Sequence, residues 1–248
     1  MTAARAELEE LERLAAEWER RERRRLYHRL YPDADTPQPD GSIIHARQRY
    51  PRHLEFFGAG ATHRERCFMA ANRVGKTLGG GGYELTAHLT GLYPAWWPGR
   101  RFARPIAAWA AGDTVETARD IIQRTLLGDV AWEGPRKTVD GTGLIPGERL
   151  AIPTWRRGVA DAVDEVRVRH TSGGWSTLGL KSYDQGRRAF QGTGRHVIWL
   201  DEEPPMDVYS EALIRTMTVG GIVMLTFTPL SGMSSVVVQF LPAEQRPG

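Results

Sequence analysis

A single cysteine, Cys67, stands among 248 residues, which excludes an internal disulfide framework, and the seven histidines show no C-x-x-C, H-x-x-x-H or H-E-x-x-H spacing. A structural zinc site is not expected. No apolar run approaches the roughly 20 residues of a membrane-spanning helix, and the amino terminus is too polar for a signal peptide, so a cytosolic protein without membrane contact is expected. Lysine is scarce too: Lys76, Lys137 and Lys181 are the only three among 33 basic residues. Arginine serves almost everywhere a positive charge will do, so a lysine is a choice. The net charge is only +3, compatible with a polyanionic partner without demanding one.

What is present is the text of one large α/β domain. The length can bury a full core, and Gly and Pro are spread along loops rather than gathered into a disordered tract. The pattern centres on Phe68 to Thr77. With Ala70 in place of the first glycine, the stretch from Ala70 through Ala71, Asn72, Arg73, Val74, Gly75 and Lys76 to Thr77 has the form G-x-x-x-x-G-K-[ST] of a phosphate-binding loop. Cys67 to Ala71 would supply the preceding strand. Backbone N–H groups of such a loop form an anion nest at a helix N-terminus; Lys76 would reach the β- and γ-phosphates and Thr77 would ligate Mg²⁺. A compact ammonium fits that cradle where a planar guanidinium would fit badly.

Residues 3 to 30 read as one helix with Leu8, Leu11, Leu14, Ala15 and Trp18 at three- and four-residue steps, ending in the basic run Arg20 to Arg25. Tyr31 to Gly41 is breaker-rich, so the expected organisation is an N-terminal helix and linker over 1–41 and a P-loop ATPase domain over 42–248. Phe56 and Phe57, before the loop strand, are expected in the core. Gly79 to Gly82 conflict with the helix that should follow Thr77, unless its first turn packs against another backbone too closely for a Cβ. Tyr93 to Gly99 should end that helix. Ile106 to Ala111 reads as a second buried strand, and Thr114 to Leu127 as a crossover helix with Asp113 or Thr114 as N-cap. Gly134 to Gly158 reads as loop, and Val163 to His170 with Trp175 to Lys181 as a β-hairpin around Thr171 to Gly174.

The second half of a nucleotide site follows. Val197 to Leu200 is a buried strand ending in Asp201, Glu202 and Glu203, and ligand chemistry gathers at such carboxyl edges of an α/β sheet. In a P-loop enzyme Asp201 would hold Mg²⁺ through water and Glu202 would orient or deprotonate the attacking water. A third buried strand, Ile222 to Leu225, ends in Thr226 to Pro229. A polar residue there could sense the γ-phosphate.

Read together, residues 70 to 77, His88 to Pro94 with Trp96 and Trp97, Phe190 to Gly192, Trp199 to Pro204 and Thr226 to Pro229 resemble the ATPase half of a tailed-phage large terminase, the motor that packages DNA. The resemblance implies a P-loop NTPase of the ASCE type, α/β with a mainly parallel central sheet flanked by helices, here with a small β-hairpin insertion and an N-terminal helix. It implies ATP and Mg²⁺ as cofactors, phosphate binding by Gly75, Lys76 and Thr77, Asp201 as the acidic metal residue, Glu202 as the catalytic carboxylate and Arg73 as a candidate γ-phosphate sensor. Thr226 to Pro229, with hydroxyls at Thr226 and Thr228, would couple hydrolysis to DNA movement. The implied partners are double-stranded DNA, a portal protein, a small terminase subunit and further copies in a ring, in the cytoplasm of a bacterial host.

One departure stands out. Large terminases carry a C-terminal nuclease, whereas Glu244 is the only acid after Glu211, so nuclease activity is not expected of this chain. Two other readings fit the same residues. One is another P-loop DNA-dependent ATPase of the helicase kind; the other is a truncated, non-catalytic remnant that binds nucleotide or a small terminase.

Overall fold

The computed structural model describes residues 3–23, 25–230 and 232–246. The side chains of Trp18 and Arg20–Arg23, and all of Arg24, lie outside the described residues, so most of the expected basic run does too. The N-terminal helix is shorter than its periodicity suggests: α1 spans Ala3–Arg23 and a separate turn, α2, spans Leu26–Arg29. Leu8, Leu11 and Leu14 of α1 are all exposed.

After α2 the chain differs from the expected linker. Tyr27 and Tyr31 are buried, Tyr27 stacks on Tyr83 at 4.5 Å between ring centroids, and the Tyr31 hydroxyl donates to Gly79 O at 2.6 Å. Tyr31 opens the breaker-rich stretch, where proline and aspartate set the local turns while the tyrosine sets the packing; Tyr27 lies before it, in α2. Two short strands, β1 (Thr36–Pro37) and β2 (Ile43–Ile44), then pair antiparallel. Helix α3 (Pro51–Ala59) starts on a proline, which suits the first helical position, and buries Phe56 and Phe57 as expected.

The central sheet has seven strands. Strand β3 (Glu65–Met69) leads into the phosphate-loop sequence; β4 (Ala107–Gly112) follows the helix over Lys76–Thr90. A crossover helix then runs from α5 (Val115–Thr117) through a π-helical turn to α6 (Arg124–Leu127), and Thr114 caps it with a reciprocal capping box. The stretch from Gly134 to Gly158, expected to be loop, carries two strands: β6 (Arg136–Val139), which forms a hairpin with the preceding β5 (Val130–Glu133) turning at Gly134, whose φ of 59° favours glycine, and β7 (Thr154–Trp155), which joins the main sheet. Strands β8 (Val163–Arg169) and β9 (Trp175–Ser182) form the expected hairpin. Here β9 also pairs parallel with β4, so the hairpin extends the central sheet rather than standing apart from it. Last come β10 (Val197–Asp201), α7 (Met206–Met217), β11 (Ile222–Phe227) and α8 (Ser235–Gln239).

The sheet order is β3-β11-β10-β4-β9-β8-β7, with the first five strands parallel and the β9–β8 and β8–β7 pairings antiparallel. This is a mostly parallel sheet flanked by helices, with one strand between the loop strand and the acidic strand. All five residues of β10 and all six of β11 are buried, as strands covered on both faces require. Register pairs Asp201 with Thr226 and Phe227 with Met69, so the tips of β3, β11 and β10 lie at one edge.

Candidate functional site

The geometry of the site begins with two backbone reversals. Arg73 has φ of 63° and Gly75 φ of 82°, both left-handed; glycine adopts this freely and arginine only where the surroundings hold it. They turn the chain between β3 and the helix so that Ala71, Asn72, Arg73, Val74 and Gly75 are exposed while Lys76 is buried. The Lys76 ammonium donates to Ala71 O at 2.7 Å and to Thr228 Oγ1 at 2.9 Å. Thr228 Oγ1 in turn lies 2.9 Å from Ala70 O and 2.7 Å from Asn72 Oδ1, with one hydrogen to share between them, tying the tip of β11 to the first half of the loop.

Beside the loop, Thr77 Oγ1 lies 3.1 Å from each oxygen of Asp201. Asp201 is 3% exposed, and burial pushes its carboxyl up to about 7, against the hydrogen bonds from Thr226 and Thr77 that favour the charged form. The Thr226 hydroxyl donates to Asp201 Oδ1 at 2.6 Å and accepts from Trp199 Nε1 at 2.7 Å. The two threonines therefore differ. Thr226 is buried against the carboxylate and is not free at the strand tip, whereas Thr228 meets the lysine and the loop.

Each glycine of the run meets a different neighbour, and the closest approach is that of Trp199 to Gly81. Residues Lys76–Gly82 form a π-helical stretch that continues as α4 (Tyr83–Thr90) and ends at Gly91, φ 72°, before the expected Tyr93–Gly99 stop. A Cβ on Gly81 would overlap the Trp199 indole; one on Gly79 would lie 2.7 Å from Tyr31 Oη, and one on Gly80 3.1 Å from Phe68 Cδ1. The close approach is thus made by side chains and not by a second backbone, except at Gly82, where Thr77 O of the same helix stands 2.7 Å away. His53, also buried, sits 3.4 Å from Gly75 O, and burial lowers its basicity, so it is neutral near pH 7.

Glu202 is exposed at the tip of β10 with φ of 65°. Such a conformation costs on the order of 1–3 kcal/mol in a residue other than glycine and persists only where neighbours enforce it. Glu202 N donates to Thr226 O at 3.0 Å, while the buried Tyr183 hydroxyl reaches Asp201 O at 2.9 Å and Glu202 O at 3.1 Å. Tyr183 follows β9, two strands from Asp201. No spacing in the sequence singles it out, whereas Trp199 leaves a trace in the conflict at Gly81. Cys67, on β3, is inert: burial and the charge of Glu203 push its thiol up to about 12.

The donor set fits one kind of metal. Thr77 and Asp201 offer hard oxygens, and no group of three or more His, Cys, Asp or Glu side chains is placed to hold an ion by itself among the described residues. Mg²⁺ suits such a site because it takes one or two protein oxygens and completes its shell with water and phosphate. A carboxylate that is costly to ionise when buried also gains from a cation.

Comparison with known proteins gives the family. A family model described as "Terminase large subunit, T4likevirus-type, N-terminal" matches residues 67–247. The large terminase subunit of Salmonella phage P22 is 38% identical over 211 residues, covering 77% of this chain and 41% of that protein. Two solved structures of the large terminase from a thermophilic bacteriophage, one in complex with ADP, each align with a TM-score of 0.46 and 13% identity. They cover 73% of this chain and 39% and 38% of theirs. The chain thus spans about two fifths of the length of the curated relative.

Proposed function

The chain belongs to the terminase large-subunit family, within the N-terminal part of that subunit, and from this premise we propose that it hydrolyses ATP to drive double-stranded DNA into a viral procapsid. The observation that carries the reading is the hydrogen-bonded system from Lys76 through Thr228 to the loop, and from Thr77 through Asp201 to Thr226, at the carboxyl edge of three neighbouring parallel strands. A bare strand-turn-helix corner has no use for a buried lysine and a buried, partly protonated aspartate.

In this reading the backbone from Ala70 to Thr77 cradles the phosphates, and Lys76 exchanges its bonds to Ala71 O and Thr228 for the β- and γ-phosphates. Thr77 and Asp201 would hold Mg²⁺, which would supply charge neutralisation at the transferring phosphoryl group. Glu202 orients and deprotonates the attacking water. Arg73, on the exposed arm of the loop, senses the γ-phosphate. Release of Lys76 from Thr228 gives β11 a direct report of loop occupancy, which supports a coupling role for Thr226 to Pro229. Portal protein, small terminase subunit and further copies in a ring are the proposed partners, in the host cytoplasm.

Thermal melting with and without Mg-ATP tests the nucleotide site before turnover is asked for. At 100 times Kd a ligand specific for the folded state adds about 2.7 kcal/mol. The parent should shift accordingly and Lys76→Ala should not. A cooperative melt with no shift in the parent would remove ATP from the account.

A further inference from the structure

Strand β8 and the first half of β9 are covered on one face only; farther along β9 the buried Trp109 closes over Gly179. Val166 and Val168 point into the core, whereas Glu165, Arg167 and Arg169 alternate with them and are exposed. Register brings Arg169 opposite Trp175, Arg167 opposite Thr177 and Glu165 opposite Gly179, and across the next ladder Gly179 faces Trp109. These residues share one face. A Cβ on Gly179 would lie 2.9 Å from Trp109 Cδ1, so the glycine is what lets this indole lie across the sheet.

Two tryptophans on this face each hold two cations. Arg167 and Arg169 lie over Trp175 at 5.3 and 5.2 Å, and Arg195 and Lys181 over Trp109 at 4.3 and 5.5 Å. Among the described residues none of the four has an ion pair, and Asp164 is already paired with Arg156 at 3.5 Å. Four cations, exposed or half-buried, thus stand against one free carboxylate, Glu165. Uncompensated like charges are costly to gather, and a structure that gathers them on aromatic supports is built for an anion.

We propose that this face, carried by Arg167, Arg169, Lys181 and Arg195, binds the phosphate backbone of duplex DNA. The inference rests on the DNA-packaging reading above and assigns a surface to it. The rings argue for backbone contact rather than base stacking, because their faces are already occupied by cations, while the guanidiniums of Arg167 and Arg169 keep in-plane N–H groups for phosphate and that of Arg195, whose Nη1 donates to Thr193 and Gly194, has fewer to offer. From Trp175 to Lys181 the strand runs roughly 20 Å, a length of duplex axis that carries about a dozen phosphates. Binding should therefore be independent of sequence and steeply dependent on salt. Lys181 is two residues from Tyr183, whose hydroxyl holds Asp201 O and Glu202 O, so the same strand joins this face to the candidate catalytic edge.

Fluorescence anisotropy with a labelled duplex of about 30 base pairs and arbitrary sequence, across roughly 50–200 mM salt, tests the face. Arg167→Ala with Arg169→Ala should weaken binding at least about tenfold at the lowest salt and reduce the slope of log K against log salt by about 2. Trp175→Ala should weaken binding a few-fold while leaving the slope unchanged, because it removes the support and no charge. Arg13→Ala, on α1, should do neither. Equal affinity and slope in the double variant would overturn the assignment. So would a parent that does not bind duplex, and a nucleotide-dependent melting shift retained in that case would confine the failure to this face.

Discussion

Replacing Asp201 by asparagine should stabilise the protein, and by an amount that depends on pH. The carboxyl is raised from 3.8 to about 7 by burial, so the folded state binds a proton that the unfolded chain releases. A carboxyl with a raised folded pKa favours the fold when protonated, and this contribution is lost as pH climbs through about 7. The asparagine side chain of the variant keeps an oxygen to accept from Thr226 and Thr77 and never ionises. The shift corresponds to about 4 kcal/mol at full ionisation, the smaller part of it already lost at pH 5, so the advantage of Asp201→Asn should grow by a few kcal/mol between pH 5 and pH 8. For a domain of this size that is on the order of 10 °C in Tm. Melting both proteins by circular dichroism at half-unit steps of pH gives the difference directly. A difference that does not change with pH, or a variant less stable throughout, would refute the claim that this carboxylate is held in a site that does not offset its desolvation.

Two further substitutions probe the supports of the site. Tyr183→Phe removes the hydroxyl that serves Asp201 O and Glu202 O; it should cost about 1–3 kcal/mol in a urea melt and lower ATP turnover, while the Mg-ATP melting shift persists. A lost nucleotide shift would mean that Tyr183 shapes the binding loop and not the Glu202 backbone. Gly81→Ala drives a methyl into the Trp199 indole and should cost a few kcal/mol by chemical denaturation, and the added Trp199→Leu change should recover part of it. If the double variant recovers nothing, the glycine run serves some other contact.

The strands were legible because each is a short apolar run and the site residues sit at their carboxyl ends. Residues 65–69, 107–112, 197–201 and 222–227 fall within two or three residues of their expected places. The glycine run was legible as a conflict with helix propensity, but not its cause: a large side chain 118 residues after Gly81 leaves no mark of its own in the local pattern. Tyr31 was hidden for a similar reason, since the turn-forming residues after it describe the backbone and say nothing of where the ring packs. The β5–β6 hairpin was missed because its outer residues, Arg136 and the 67% exposed Trp132, lack an apolar alternation. Thr226 and Thr228 show the limit most clearly. One sequence string holds both, and only the tertiary contacts give one to Asp201 and the other to Lys76.

The central claim, that these groups turn over ATP in the service of DNA movement, is tested most directly by phosphate release from Mg-ATP with and without duplex DNA, for the parent and for Glu202→Gln. The account predicts turnover in the parent that rises when duplex is added, and loss of at least about a hundredfold in Glu202→Gln with the nucleotide-dependent melting shift retained. Turnover in Glu202→Gln equal to that of the parent would contradict the assignment of the carboxylate, and a parent that binds Mg-ATP yet releases no phosphate with DNA present would contradict the motor itself.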